Sequence, residues 1–332
     1  MIVALVLVFL VSWGLTAQVR RYALVRLLDV PNDRSAHSAP TPRGGGVAFV
    51  AIILAGVALL GWLQLLDSRL ALGVFGAGAV VAVLGFADDH GHIAARWRLA
   101  GHTLAAAWAL FWLGGAPPLT LGSQVLDWGL MGLPVAMLFI VWFLNLYNFM
   151  DGIDGLAAVE ALSLCAGGAL CASVADDASL IPMLALTGAA VAGFLCWNFP
   201  RARIFMGDAG SGFLGVVLAI LALAAAHDRP ELLWSWMILA GIFVVDATLT
   251  LMRRLLRGER VYQAHRSHAY QFASRRWGHA RVTLVVAALN LFWLTPIAVF
   301  AAYVGYGVLL LFLAYIPLVA LAWKFRAGAA ET

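Results

Sequence analysis

Apolar runs long enough to cross a lipid bilayer follow one another almost from end to end of this chain, a pattern that soluble folds do not carry. A hydrocarbon core of roughly 30 Å needs about 20 residues of helix. Runs of that order fall near residues 1–19, 46–66, 70–87, 99–115, 130–147, 156–174, 180–197, 210–226, 232–252, 282–302 and 305–323. They are continuous rather than alternating segments of about ten residues, so they predict helices and not a transmembrane barrel. Composition agrees, because 11% of the 332 residues are charged against about 25% in soluble domains. The expected fold class is all-α, a polytopic membrane protein of about 11 transmembrane helices forming a single integral membrane domain over residues 1–332.

The first run has no basic leader and is followed directly by Arg20 and Arg21, which predicts a retained first span rather than a cleaved signal. Cys165, Cys171 and Cys196 all fall inside apolar runs, so no disulfide framework or thiolate metal site is expected. With the amino terminus outside, 19 of the 21 Lys and Arg residues fall on one side, leaving Arg69 and Arg229 opposite. That bias marks the Arg-rich side as cytoplasmic. The net charge of +4 then reflects topology and anionic substrates, and nucleic acid is not an expected partner.

The stretch 145–155, NLYNFMDGIDG, places Asn145, Asn148, Asp151 and Asp154 at every third position where an apolar run ends. Such spacing lines up only on a tight 3₁₀ turn, and Gly152 and Gly155 let the backbone leave helical geometry and approach a ligand. The other polar clusters are GFADDHGHIAARWR with Asp88 and Asp89, WNFPRARIFMGDAGSG with Asp208, and the HRSHAYQ stretch at 265–271. All fall on the predicted cytoplasmic face, in loops near 20–45, 88–98, 148–155, 198–209 and 253–281. Carboxylates at a helix end cost little and can be plain caps. Adjacent carboxylates repel, however, unless a cation lies beside them. Carboxylate and amide oxygens together suit a hard cation such as Mg²⁺, which takes one or two carboxylates plus substrate phosphates.

Two further stretches point to phosphate. Gly207–Gly212, GDAGSG, opens a helix whose first N–H groups favour an anion. The segment DVPNDRSAHSAPTPRGGGVAF offers His37 and Arg43 to a phosphate before a bare glycine start at residues 44–46. Asp246 lies about two turns inside the run 232–252, which fits either a functional group or a partner for a neighbouring helix.

In this order PNDRSAHSAPTPRGGG, GFADDH followed by Arg96 and Arg98, NLYNFMDGIDGLAA, NFPRARIFMGDAGSGFLG and HRSHAYQ resemble the polyprenyl-phosphate N-acetylhexosamine-1-phosphate transferases, over about residues 29–271. That superfamily includes the phospho-MurNAc-pentapeptide translocase and the undecaprenyl-phosphate GlcNAc-1-phosphate transferase. The resemblance implies a cytoplasmic cleft in the bacterial inner membrane where a UDP-N-acetylhexosamine, or a deoxy derivative, meets undecaprenyl phosphate and UMP is released. It implies Mg²⁺, with Mn²⁺ as a substitute, and it allows a homodimer. By the same resemblance Asp208 is the principal metal ligand and Asn148 a second. Asp88 and Asp89 form the paired-Asp motif, with Asp88 deprotonating or orienting the acceptor phosphate. Asp151 stands at an essential acidic position, and Asp154 with Gly152, Asn198 and Phe205 matches a uridine pocket. Arg98 stands where many members have Lys, and either holds a phosphate.

His268 matches the first histidine of a family His-x-His-His motif, but Tyr270 and Gln271 replace the other two, and His265 stands where Asp is common. Arg266 and His268 are therefore expected on pyrophosphate and sugar. This variant loop resembles the branch that begins O-antigen or related surface polysaccharides. Direct attack and a phospho-aspartyl route both fit these residues. A transporter of an anion or lipid-linked substrate is the rival from another class, but it would place polar groups near the midplane in repeat-related broken helices. A CDP-alcohol phosphotransferase would show Ala-Arg soon after the first Asp-Gly, which DGIDGLAAVEALSL lacks.

Overall fold

The computed structural model describes residues 2–29, 40–122, 124–259 and 265–330. His37, expected on a phosphate, lies outside the described residues. The helices are α1 (Ile2–Arg26), α2 (Gly46–Trp62), α3 (Ser68–His90), α4 (Ala95–Leu113), α5 (Gly132–Phe149), α6 (Leu156–Val174) and α7 (Ile181–Asn198). They continue with α8 (Asp208–Asp228), α9 (Leu232–Leu239), α10 (Gly241–Leu256), α11 (Ala269–Trp277), α12 (His279–Leu289), α13 (Thr295–Val304) and α14 (Gly307–Lys324). Strands β1 (Leu28–Asp29) and β2 (Thr41–Pro42) pair antiparallel, as do β3 (Leu119–Leu121) and β4 (Gln124–Leu126). The protein is an all-α, multi-pass membrane protein.

Among the described residues eight helices are long and apolar enough to cross a membrane, or nine if α9 and α10 form one span bent by 72°. Each of the eleven apolar runs is helical, but among the described residues not all are long and apolar enough to count as full spans. Helix α2 is 17 residues long, and α4 carries Arg96, Arg98 and His102 in its first half, which lowers its apolarity. The run 232–252 breaks at Ala240, where the Tyr315 hydroxyl donates to the freed Met237 carbonyl at 2.6 Å, the kind of side-chain support a broken helix needs in a membrane.

Helix α8 is the axis of the fold. Its whole apolar window is buried, against 11% for α1 at the rim, as expected of a helix that is apolar on every side. Packing around it relies on small residues, because lipid supplies no hydrophobic drive between helices and close backbone approach must do the work. A Cβ on Gly85 of α3 would meet the Asp208 carbonyl carbon and the Ala209 nitrogen at 2.5 Å. That approach brings the end of α3 onto the start of α8, which positions the site. On the opposite surface Asp67 caps α3 by accepting the Arg69 and Leu70 N–H groups at 3.0 Å, the local role expected of an isolated acid. A single π-helical turn, Asn290–Leu294, separates α12 from α13. The Asn290 amide there donates to Glu160 Oε2 of α6 at 2.7 Å, a fully enclosed polar pair.

Candidate active site

A cavity of about 760 Å³ lies where the ends of α3, α5 and α10 meet the starts of α4, α8 and α11. Asp88, Arg98, Asn148, Gly152, Asp208 and His268 all line it. The sequence places these six in four separate stretches, and the fold gathers them at one end of the bundle.

Arg98 ties two of the segments together. Its Nη1 donates to Asp88 Oδ2 at 2.8 Å and to Asp208 Oδ2 at 3.4 Å. The Asp88 side chain is 9% exposed and also accepts the Ile93 N–H at 2.6 Å, whereas Asp208 is 35% exposed. Asp88 is thus held by protein, and Asp208 is the carboxylate open to a ligand. Ser211 Oγ donates to Asn148 Oδ1 at 3.3 Å, which turns that amide oxygen toward the start of α8.

Asp89 does something different from its neighbour. It is buried, and its two oxygens accept the backbone N–H groups of Asp208 and Ala209 at 3.2 and 3.3 Å. A carboxylate there satisfies orphan donors and complements the positive end of the α8 dipole. Arg43 lies 3.8 Å from Asp89 Oδ1 and donates to the Asp89 carbonyl. Gly207 has φ +78, and a Cβ there would meet Asp89 Oδ2 at 2.6 Å. Only glycine fits between the cap and the helix it caps.

Asp151 follows α5 at a bend where the chain turns into α6. Loss of water, with Asp208 and Asp89 adding their charges, holds its carboxyl well above the usual carboxylate range. Three carboxyls from three segments therefore sense one another electrostatically. Among the described residues no three His, Cys, Asp or Glu side chains group closely enough to hold an ion alone. A cation here would take Asp208, the Asn148 amide oxygen and oxygens of the substrate, a donor set that fits Mg²⁺.

His268 opens α11 and is anchored from below. Asp246 Oδ1 lies 3.3 Å from His268 Nδ1 and accepts the Ala269 N–H at 2.9 Å, while Oδ2 accepts the Tyr270 N–H at 2.9 Å. Of the two readings of Asp246, the structure gives the helix-partner one. His265 stacks on His268 with ring centroids 4.9 Å apart, and burial holds its ring down to about 3, with the His268 and Arg254 charges adding to the effect. It is neutral at physiological pH. Tyr270, where the family motif has histidine, donates to the Phe149 carbonyl at 3.0 Å and packs its hydroxyl against Gly152.

Several expected residues stand apart from the cavity wall. Asn198 is buried, accepting the Gly155 N–H at 2.8 Å and donating to the Ile204 carbonyl at 2.9 Å. It bridges two backbone turns with the very groups a uridine would need. Asp154 lies 3.2 Å from His279 Nδ1, and its carbonyl accepts from Thr283. The Phe205 backbone pairs with Pro42 and Gly45. The Arg266 carbonyl accepts from Arg275. Conversely, His102, Asn145, Phe149 and Gln271 line the cavity without having been assigned a role from sequence. Asn145 was visible in the three-residue polar spacing, and His102 lies one helical turn beyond Arg98, a signal that the spacing of α4 carried.

Comparison with known proteins accords with this geometry. Residues 71–226 match the family model described as glycosyl transferase family 4. The chain is 30% identical over 321 residues to the decaprenyl-phosphate N-acetylglucosaminephosphotransferase of Mycobacterium leprae, covering 82% of this chain and 79% of that protein. It is 29% identical to the probable undecaprenyl-phosphate N-acetylglucosaminyl 1-phosphate transferase of Bacillus subtilis, covering 81% and 76%. It is 32% identical to a phospho-N-acetylmuramoyl-pentapeptide-transferase of Desulforudis audaxviator, covering 78% and 84%. With relatives of that extent on both sides, the chain belongs to the polyprenyl-phosphate N-acetylhexosamine-1-phosphate transferase superfamily.

Proposed function

We propose that this protein transfers an N-acetylhexosamine-1-phosphate from a UDP-sugar to undecaprenyl phosphate, releasing UMP, as the first membrane step of a surface polysaccharide such as O-antigen. The observation that carries the reading is Arg98 bridging Asp88 and Asp208 at one end of the helix bundle, beside Asn148. This arrangement suits a diphosphate: one guanidinium to neutralise it, and an exposed carboxylate and amide oxygen for a cation.

In the reaction an oxygen of the lipid phosphate forms a bond to the sugar-bearing phosphorus of the donor, and the bond from that phosphorus to UMP breaks. A phosphate nucleophile needs little activation, so positioning and charge neutralisation dominate. Arg98 stabilises charge on the equatorial oxygens. Asp88, fixed by Arg98 and Ile93, orients the acceptor phosphate and takes its proton where one remains. Asp208 and Asn148 would hold Mg²⁺, or Mn²⁺ in its place, which supplies Lewis acidity toward the diphosphate. Asp151, its carboxyl held well above the usual range by lost solvation and by Asp208 and Asp89, would gain negative charge as a cation bound. The imidazolium form of His268, its Nδ1–H on Asp246, donates through Nε2 to pyrophosphate or sugar.

In this reading the end of the bundle that carries the basic loops faces the cytoplasm at the inner membrane, where nucleotide sugars are found; the positive-inside bias of those loops supports it. A transporter is disfavoured because the charged groups gather at helix ends rather than at the midplane. The test is purified protein with Mg²⁺, undecaprenyl phosphate and a panel of UDP-sugars, with UMP as the readout. Release with one donor, lost in Asp208→Ala, is the expected result. No UMP with any donor, or release unaffected in Asp208→Ala, overturns the reading.

A further inference from the structure

A second hollow, of about 490 Å³, opens where α10 and α14 end, walled by Arg253, Leu256, Arg257, Trp323 and Arg326 together with the chain just after α14. It is separate from the candidate active site, yet it shares that end of the bundle, because α10, which packs against α14, leads into the loop that carries His268. Its lining mixes two kinds of group. Leu256 is 84% exposed and Trp323 65% exposed, so this rim faces hydrocarbon rather than protein. The guanidiniums sit among them. Exposed leucine and tryptophan interleaved with arginine mark the boundary between acyl chains and headgroups.

The arginines are held in place rather than left to wander. The Arg253 guanidinium lies 3.7 Å from the centroid of the Trp323 ring and donates through Nη1 to the Ala327 carbonyl at 2.6 Å. Arg257 donates through Nη1 to the Gly328 carbonyl and through Nε to Glu259 Oε1 at 2.7 Å. A guanidinium has five N–H donors, and these bonds use one on Arg253 and two on Arg257. The acid described here, Glu259, is already matched by Arg257 and by Arg254 at 3.2 Å. Among the described residues Arg253 and Arg326 then give the hollow net positive charge.

We infer that the foot of α10 and α14 binds an anionic phospholipid, its phosphodiester on Arg253, Arg257 and Arg326 and its acyl chains along Leu256 and Trp323. A zwitterionic lipid lacks the net charge, and a soluble anion lacks the chains that would cover Leu256. The site is wired to the loop of His268. The tail that Arg253 and Arg257 grip also donates from Gly328 N–H to the Ser267 carbonyl at 2.6 Å, and Arg254 donates to Ser267 Oγ at 3.4 Å. Lipid at the arginines therefore braces the strap that holds residues 265–268.

The test uses the full chain in nanodiscs of phosphatidylcholine with or without phosphatidylglycerol, followed by native mass spectrometry of co-purifying lipid and by thermal unfolding. The wild type should retain phosphatidylglycerol in preference to phosphatidylcholine, lose it as salt rises, and unfold at a higher temperature with it. An Arg near an anionic lipid is worth about fivefold in binding. Arg253→Gln, Arg257→Gln and Arg326→Gln combined should therefore lose at least about tenfold in retention, while the matching Lys triple keeps most of it. If the Gln triple does not fold, the Lys triple and the wild-type comparison still decide. Equal retention of both lipids by the wild type, unchanged retention in a folded Gln triple, or a thermal shift reproduced by inorganic phosphate alone would overturn the assignment. So would undecaprenyl phosphate displacing phosphatidylglycerol from the wild type at equal concentration, which would make the hollow an acceptor site.

Discussion

The carboxylate of Asp89 accepts the backbone N–H of Asp208 at 3.2 Å, so one acid of the site is the cap of the helix that presents another. This separates two adjacent residues into two jobs. Asp88 faces the cavity and Arg98, and Asp89 faces the start of α8. Asp89→Asn replaces one accepting oxygen with an N–H₂ group that confronts a backbone N–H. The expected cost is about 1–3 kcal/mol of stability, read as a lower unfolding temperature in detergent, with activity lost alongside. Asp208→Asn should leave the unfolding temperature near that of the wild type and cut UMP release at least about 100-fold. The opposite pattern, a stable Asp89→Asn and an unstable Asp208→Asn, would reverse these roles.

Arg98 is expected to act as a two-carboxylate bridge as well as a phosphate ligand. Arg98→Ala leaves Asp88 and Asp208 without their shared cation, and the two should then repel. UMP release should fall about 100-fold. Arg98→Lys keeps the charge but cannot reproduce a planar fork, and it should fall within about tenfold of the wild type. Steady-state kinetics with the donor varied checks this. Equal losses in both variants would show that fork geometry, not charge, is what the site uses.

The helical, membrane-spanning character of the chain was legible because a bilayer imposes a length and a composition that apolar runs display directly. The count of spans was less so. Whether 232–252 is one rod or two pieces bent by 72° depends on Tyr315 reaching Met237 from another helix, which periodicity within the run does not encode. The site divides in the same way. Asp88, Asn148, Asp208 and His268 were visible as polar groups at apolar-run ends, where burial has to be justified by function or by partners. The backbone-bridging role of Asn198 was not visible, because it depends on Gly155 and Ile204 arriving from two different turns. Asp246 was readable as an anomaly inside an apolar run, and only the fold shows that it anchors the start of α11.

Asp151 gives a pH dependence with a definite sign. Its folded-state carboxyl is held well above the usual range by lost solvation and by Asp208 and Asp89, while in the unfolded chain it titrates near about 4. Below that both states hold the proton and folding is indifferent to it. As pH rises past about 4, the unfolded state gains by ionising and the folded state lags, so the metal-free protein loses stability. Asp151→Asn removes this penalty. The variant should unfold at a higher temperature than the wild type in EDTA near pH 8, the gap should shrink toward pH 5, and it should carry little activity at either pH. A gap that grew on acidification would contradict the shift. By the same linkage, added Mg²⁺ should release protons from the wild type, measurable as a buffer-dependent heat, and less from Asp151→Asn.

His102 lies on α4 one turn further along than Arg98 and lines the same cavity. It is buried, and its Nδ1 has no hydrogen-bond partner among the described residues. A buried unpaired ring nitrogen costs about 1–3 kcal/mol, and such groups persist where a ligand or a function uses them. The cavity it lines also carries Val81, Leu84, Leu99 and Leu251, with Arg98, Asp88 and Asn145 among its polar groups. The surroundings suit the junction between a phosphate and a hydrocarbon chain better than a nucleotide. His102→Ala is therefore expected to raise the KM for undecaprenyl phosphate about tenfold, the worth of one hydrogen bond to a charged group, with the KM for the UDP-sugar little changed. Stability should hold or rise, since the unpaired nitrogen is gone, and His102→Gln, which restores a polar group, should recover part of the loss. Should the KM for the UDP-sugar climb instead, or Gln rescue nothing, His102 would belong to the nucleotide end of the cavity or to packing alone.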